Sequence, residues 1–365
     1  MTVWKCIAMF DAKPVLERAA PEIARNLAAM HAAGSYVLGE QVERFEKELA
    51  AAFHAGHAVG VGSGTAAIEL CLREAGLVRS DQEVIVPSFT SLFTAQAVLA
   101  AGARVRVADV DPETLLVSPE TLRTAWTPRT AAVVCVHLYG EVCRVDEIAA
   151  LCRERGATLI QDACQAHGAT YGGRPLTAFS PYTAYSFYPT KNLGGVGDGG
   201  AVVTDSARVA RRIRLLRDGG RASDQVARAP GVNSRLDEIQ ACYLRAMLPH
   251  LAYWSGHRRK LANAYRTAGI RLTGAAANSA HHLYVMRTRR RDSLRRELAA
   301  EGIQTGIHYP VPLHWQPGFW GRASCGAVPK VAELASQEVL SLPGGPHISE
   351  SDAEFIAERI RMRVR

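Results

Sequence analysis

Between residues 57 and 204, short apolar runs that end in turn residues alternate with longer amphipathic segments. The runs are 57–61, 83–86, 105–110, 131–138, 158–161, 184–187 and 201–204. Helical periodicity fills 65–75, 91–101 and 145–156 between them. A strand followed by a helix and then another strand pairs in parallel with the first, so the pattern predicts an α/β fold: a mostly parallel central sheet with helices on both faces. Two helices precede it, over 15–32 and 40–53, broken by Gly34-Ser-Tyr-Val-Leu-Gly39. In the second, Val42, Phe45, Leu49 and Phe53 recur at helical spacing, which buries one face. Near residue 236 the alternation stops. Residues 236–264 read as one long or broken helix, followed by a strand over 282–287, a helix over 292–301, a strand over 302–308 and a terminal helix over 351–362. These patterns predict a large α/β domain over 1–245 and a smaller C-terminal α+β domain over 246–365, with Ala275-Ala-Ala-Asn-Ser279 as a surface loop.

Composition narrows the class. The 365 residues are 48% hydrophobic and 21% charged, an ordinary globular balance with enough apolar mass for a large core. The formal charge of +8 comes mostly from single arginines on helical stretches. The one dense cluster, Arg287-Thr-Arg-Arg-Arg291 with Arg295 and Arg296, reads as a solvated helix start or as a pocket for a phosphate-bearing small molecule. Without interleaved aromatics it argues against nucleic acid. The eight cysteines form no C-x-x-C pair and lie in apolar segments, so they read as reduced core thiols of a cytoplasmic protein. No apolar run approaches a membrane span or a signal peptide.

Three local features carry chemistry. Lys191 sits in Ala184-Tyr-Ser-Phe-Tyr-Pro-Thr-Lys-Asn-Leu-Gly-Gly-Val-Gly-Asp-Gly-Gly200, among apolar residues that would desolvate its amine and make it a nucleophile toward carbonyls. The glycines at 194, 195, 197, 199 and 200 would let the backbone take positive φ or approach a planar ligand. Val61-Gly-Ser-Gly64-Thr65-Ala66 joins a strand to a helix, where free N–H groups and the helix dipole bind anions, although a plain N-cap looks the same. Asp162 ends a strand at the carboxyl edge of the sheet, where ligands bind. It could keep a ring nitrogen protonated, or simply cap the next helix. An anion cradle, a carboxylate and an amine are together what pyridoxal phosphate needs.

Longer motifs make the resemblance specific. Val86-Pro-Ser-Phe-Thr90, Val136-His-Leu-Tyr-Gly140, Gln161-Asp-Ala-Cys-Gln-Ala-His167, Ser186-Phe-Tyr-Pro-Thr-Lys-Asn-Leu193, Gly197-Asp-Gly-Gly-Ala201, Asn233-Ser-Arg-Leu-Asp-Glu-Ile-Gln240 and Gly302-Ile-Gln-Thr-Gly-Ile-His-Tyr-Pro310 resemble the DegT/DnrJ/EryC1/StrS family of sugar aminotransferases, from about Met9 to the terminal helix. The resemblance implies a fold-type-I pyridoxal-phosphate enzyme, a homodimer with active sites shared at the subunit interface. It implies that Lys191 holds the cofactor aldehyde as an imine, Asp162 faces the pyridine nitrogen, and Gln165 lies against the ring or its phenolic oxygen. Gly64, Thr65, Ala66 and Ser186 would bind the phosphate, with Asn233 reaching the neighbouring subunit's phosphate; Asn233-Ser234 could also cap a helix. His308 and Tyr309 would be substrate contacts or satisfied core residues.

One position departs from the pattern. Where many relatives carry a ring-stacking aromatic after the Pro-Ser-x-Thr turn, this chain has Ser91, so Phe89 or Phe93 substitutes or that ring face is less covered. A lysine at 191, where dehydrating relatives have histidine, implies transamination from an amino donor, expected to be L-glutamate, to a nucleotide-linked keto-deoxysugar. The alternatives are a cyclitol ketone or unlinked keto-sugar as acceptor, or a cofactor-binding regulator without turnover.

Overall fold

A computed structural model describes residues 6–274 and 279–364; most of the loop expected at 275–279 lies outside the described residues. Twelve helices and twelve strands are described. The helices are α1 (Lys13–Ala33), α2 (Glu40–Ala52), α3 (Gly64–Glu74), α4 (Leu92–Ala101), α5 (Pro119–Ala125), α6 (Val145–Glu154), α7 (Ala207–Leu216), α8 (Glu238–Met247), α9 (Leu251–Thr267), α10 (Arg291–Ala300), α11 (Lys330–Glu338) and α12 (Glu350–Val364). The strands are β1 (His57–Val61), β2 (Glu83–Pro87), β3 (Arg104–Ala108), β4 (Thr130–Val136), β5 (Thr158–Asp162), β6 (Thr170–Tyr171), β7 (Arg174–Pro175), β8 (Thr183–Ser186), β9 (Gly200–Thr204), β10 (Tyr284–Arg287), β11 (Ala323–Cys325) and β12 (Val339–Leu342).

Eight strands form one sheet in the order β1-β9-β8-β5-β4-β2-β3-β11. Every neighbouring pair is parallel except those involving β9, which runs against both β1 and β8. The expected α/β architecture is therefore present. Successive side chains face opposite ways, and the core divides accordingly. Val59, Val84, Val86, Val134, Ile160 and Val202 pack with α3, α4 and α7 on one face. On the other face, Ala58, Tyr185, Ala201 and Val203 pack with α2 and α8, and Ile85, Val133 and Cys135 with α5 and α6.

The first break falls where expected: Gly34 ends α1 at φ 64°, a left-handed conformation that a side chain would strain. The expected connector is broken, α8 and α9 being separated by a single 3-10 turn at Leu248–His250 that holds Pro249. Around β10 and β12, which pair antiparallel, a further core gathers residues of α9, α10 and α12. The expected strand over 302–308 is not formed. Gly302 turns at φ 77°, and only isolated bridges remain, Ile303 to Ile7 and Gly306 to Ser341. The cysteine reading needs a similar correction: all eight are free, but Cys6 and Cys325 are exposed rather than buried in the core. Among the described residues no helix is long and apolar enough to cross a membrane.

Candidate active site

The carboxyl ends of β4, β5 and β8 open onto a cavity of about 760 Å³. Gly64, Thr65, Asp162, Gln165, Ser186, Lys191, His308 and Tyr309 line it, so one cavity collects eight of the ten site residues expected from sequence. Ala66 and Asn233 do not line it.

Asp162 is the last residue of β5 and is 5% exposed. Its Oδ2 accepts from Thr94 Oγ1 at 2.9 Å and its Oδ1 from the Cys164 backbone N–H at 3.1 Å. The carboxylate is thus held by two donors and does not act as a helix cap. Thr94 comes from α4 and was not singled out by sequence; only its position one helical turn past the Thr90-Ser91 corner could have hinted at it.

Lys191 follows β8 in the long connection to β9. Its amide donates to Tyr188 O at 2.8 Å, closing a turn, and its ammonium makes no ion pair with any described residue. Burial lowers its pKa below the ordinary lysine range, while Cys164 and Asp162 pull it back up. The expectation of a desolvated amine is met.

The glycines of this loop work differently from the expectation. None of the five takes positive φ. They are glycines because protein lies against them: a Cβ would fall 2.4 Å from Pro189 O at Gly194, 2.5 Å from Gln240 Oε1 at Gly195, and 2.4 Å from the Ser63 carbonyl at Gly200. Gln240 Oε1 also accepts the Val196 amide at 3.0 Å, so α8 splints the loop from below.

At the start of α3, Ser63 Oγ accepts the Ala66 amide at 3.1 Å. That amide is engaged as in the plain N-cap that the sequence left open beside the anion reading. The Gly64 and Thr65 amides lie before the first helical hydrogen bond and remain available. Gly64 is also sterically required, since a Cβ there would stand 2.7 Å from both Cys164 Sγ and Ser186 Cβ. Asn233 is exposed, bridges to Asp218 and lies outside this cavity. The helix-cap reading of Asn233-Ser234 fails, because α8 starts at Glu238 with Asp237 as N-cap and Ser234 Oγ instead accepts the Gly62 amide at 3.1 Å.

Gln165 is fixed at both ends: Oε1 accepts the Tyr139 amide at 2.7 Å and Nε2 donates to Tyr309 OH at 3.0 Å. Burial pushes the Tyr309 phenol up to about 12. His308 Nδ1 pairs with Ser341 Oγ at 2.8 Å, and burial, followed by the Lys191 charge, lowers its pKa to about 4. Both residues therefore face the cavity and are satisfied by protein partners at once. His167, quoted only within a motif, contacts Ser186 O through Nε2 at 2.8 Å; burial and then Lys191 lower its pKa to about 3. Phe89 is fully buried in the core and cannot cover a ring in the cavity, whereas Phe93, 56% exposed, lines it beside Ser91. The arginines at 287–296 line no part of the cavity. Arg287 pairs with Glu338 at 2.9 Å and Arg291 donates to Ser336 O at 3.0 Å, which tie β10 and α10 to α11.

The fit to pyridoxal phosphate rests on donor chemistry. Free helix-start amides can take a phosphate, a fixed carboxylate a pyridinium nitrogen, and a desolvated amine an aldehyde. The buried Thr90 Oγ1, on the cavity wall, has no hydrogen-bond partner among the described residues and is a further donor awaiting a ligand.

Comparison with known proteins points the same way. The profile of the DegT/DnrJ/EryC1/StrS aminotransferase family matches residues 17–361. A dTDP-3-amino-3,4,6-trideoxy-alpha-D-glucose transaminase of Streptomyces venezuelae is 41% identical over 363 residues, 97% of this chain and 95% of that protein. The crystal structure of S. venezuelae DesV in complex with a ketimine intermediate matches with a TM-score of 0.94 and 40% identity over 98% of both chains. That of Bacillus subtilis NtdA with bound cofactor PMP matches with a TM-score of 0.89 and 27% identity, over 99% of this chain and 86% of that one. With this coverage and the lysine, carboxylate and helix-start amides gathered in one cavity, the chain belongs to the DegT/DnrJ/EryC1/StrS aminotransferase family, whose enzymes use pyridoxal phosphate.

Proposed function

We propose that this chain transfers an amino group from an amino acid, L-glutamate, to a nucleotide-linked keto-deoxysugar with pyridoxal phosphate as cofactor. One observation carries the reading: the desolvated amine of Lys191 shares a cavity with the fixed carboxylate of Asp162 and the open start of α3. The acceptor class comes from the dTDP-sugar named for the 41%-identical relative.

When bound, pyridoxal phosphate supplies an aldehyde that condenses with amines and a ring that takes up electrons from the substrate carbon. Gly64 and Thr65 amides, with Ser186, would hold its phosphate, and Asn233 of the partner subunit would complete the cradle in a homodimer. That the exposed Asn233 lies outside its own cavity supports such sharing. Asp162 would keep the ring nitrogen protonated, and Gln165, clamped between Tyr139 and Tyr309, would lie against the ring. Lys191 Nζ, whose pKa burial lowers, would take the proton from the substrate carbon as general base and give it back as general acid. His308 and Tyr309 would contact the sugar. In the same reading residues 1–245 form the cofactor domain and 246–365 the smaller one, and the free thiols suit the cytoplasm.

The experiment is a substrate panel with the purified, cofactor-loaded protein. Glutamate should convert the cofactor absorbance to the amine form, and mass spectrometry should find the amino sugar only with nucleotide-linked acceptors. Lys191→Ala should lower kcat by about 10²–10⁴-fold or more, and light scattering should give twice the chain mass. Equal turnover of an unlinked cyclitol ketone would move the acceptor class, and a cofactor band that glutamate leaves unchanged would leave a regulator without turnover.

A further inference from the structure

A second cavity of about 40 Å³ adjoins the first, with Phe10, Lys191 and Arg258 in both walls. Arg258, on α9, is 4% exposed. Its Nη1 donates to the carbonyls of His281 at 3.1 Å and His282 at 3.3 Å, whereas its Nε is buried with no acceptor. Among the described residues no carboxylate lies within ion-pair distance of this guanidinium. Trp254, one helical turn earlier on the same wall, presents a second buried N–H, Nε1, that is also without an acceptor.

An arginine keeps its charge at any accessible pH, and a charge taken out of water is costly unless an anion meets it. The cavity supplies none. Among the described residues Asp11 is the one acid on its wall, and its Oδ1 accepts the Lys13 amide at 2.8 Å instead. The other titratable group there, Lys191, brings no negative charge, and the neighbouring His281, His282 and His167 are each held toward the neutral form by burial first and further by Arg258. Two residues with unpaired buried donors, one of them carrying an unbalanced guanidinium charge, thus belong to the wall of a space of about 40 Å³. Since about 10–15 Å³ of such space holds one water, it has room for a few small polar atoms such as a carboxylate and is far too small for a nucleotide diphosphate.

We infer that this pocket is a carboxylate subsite: Arg258 and Trp254 Nε1 bind the side-chain carboxylate of the amino donor and so select a dicarboxylic amino acid. The inference rests on the aminotransferase reading for its ligand. Lys191, where the donor amine has to arrive, stands in the walls of both cavities, and the larger one is left for the acceptor.

Arg258→Gln, Arg258→Lys and Trp254→Phe in the cofactor-loaded enzyme test it. Arg258→Gln should lose at least about ten-fold in kcat/KM for glutamate while kcat/KM for alanine and the sugar KM hold; Arg258→Lys should recover part of the loss. Glutarate, a dicarboxylate with no amine, should compete with glutamate and raise the thermal midpoint of the wild type. Trp254→Phe, which removes one N–H and keeps the ring packing, should weaken glutarate by about three- to ten-fold. An equal loss for alanine and glutamate, a change confined to the sugar KM, or glutarate binding untouched by Trp254→Phe would overturn the subsite. If Arg258→Gln does not fold, the glutarate titration of Trp254→Phe decides alone. That titration needs no turnover, so a wild type that transfers no amine would sink the functional reading and still leave the subsite to be judged.

Discussion

Asp162 shows how a carboxylate on the cavity wall is aimed. With Oδ2 held by Thr94 and Oδ1 by the Cys164 amide, it cannot swing away from the cavity. A hydrogen bond to a charged group contributes about 1.5–3 kcal/mol, so Thr94→Val should lower kcat about ten-fold or more with little change in the sugar KM. Unchanged kcat in steady-state assays would mean that Thr94 is packing only. Asp162 and Lys191 were legible because chemistry and position coincide: an acid at a strand's carboxyl end, an amine among apolar residues. Thr94 was not, because it meets Asp162 across 68 residues of chain. The loop glycines were legible as important but not for their reason, since close approach by Gln240 and Pro189 leaves no mark in the local sequence. At Ala66 the sequence left an anion site and a plain N-cap open, because both begin with the same serine; the Ser63 hydroxyl takes that amide here.

Among the elements, α2 is secured from a distance. Its N-cap is Gly39, which offers no side chain, and the Glu238 carboxylate, 1% exposed at the start of α8, accepts from the amides of Gly39 at 2.9 Å, Gln41 at 2.9 Å and Val42 at 2.8 Å. One charge thereby satisfies three orphan donors and complements the dipole of α2. Glu238→Gln keeps the shape but puts an N–H against one of those amides. Chemical denaturation should show a loss of about 2–4 kcal/mol; a loss under about 0.5 kcal/mol, the size of an ordinary surface change, would refute this role. Periodicity located α2 correctly, because Phe45 and Leu49 on its inner face are both fully buried. The same logic overreached at 302–308, where Ile303 and Ile7 are buried by a single bridge rather than by a strand. It also passed over β11, a three-residue edge strand too short to carry a period.

For the molecule as a whole, buried neutral histidines set the acid limit. Burial lowers His167 to about 3 and His281 and His308 to about 4, from an ordinary value of 6.5. Below pH 6.5 the unfolded chain therefore binds protons that the folded chain refuses, and stability rises with pH across that window. Burial pushes His282 well below the ordinary value too, so the stability present above about pH 6.5 should be lost progressively as pH falls toward 4, with unfolding near pH 5 taking up about four protons. The pH dependence of the urea midpoint measures this; a flat profile from pH 7 to 4.5 would contradict it. At this scale the parallel sheet was the most legible feature, because a repeated strand–helix alternation allows few other architectures. The pairing of β10 with β12 was not, since 51 residues separate Arg287 from the Glu338 that precedes its partner strand.

The connection that carries Lys191 is anchored like a piece of sheet. Its ends pair as Ser186 with Gly200, and its own amides close back on it, Phe187 to Gly199 O at 2.7 Å and Gly195 to Phe187 O at 2.7 Å. A backbone so tied cannot follow the substrate through its successive geometries. In the proposed reaction Lys191 would therefore work as a short crane on a fixed base, swinging its amine through side-chain torsions alone. The face of the substrate carbon on which it would set a proton would then be decided by the sheet that holds the base still.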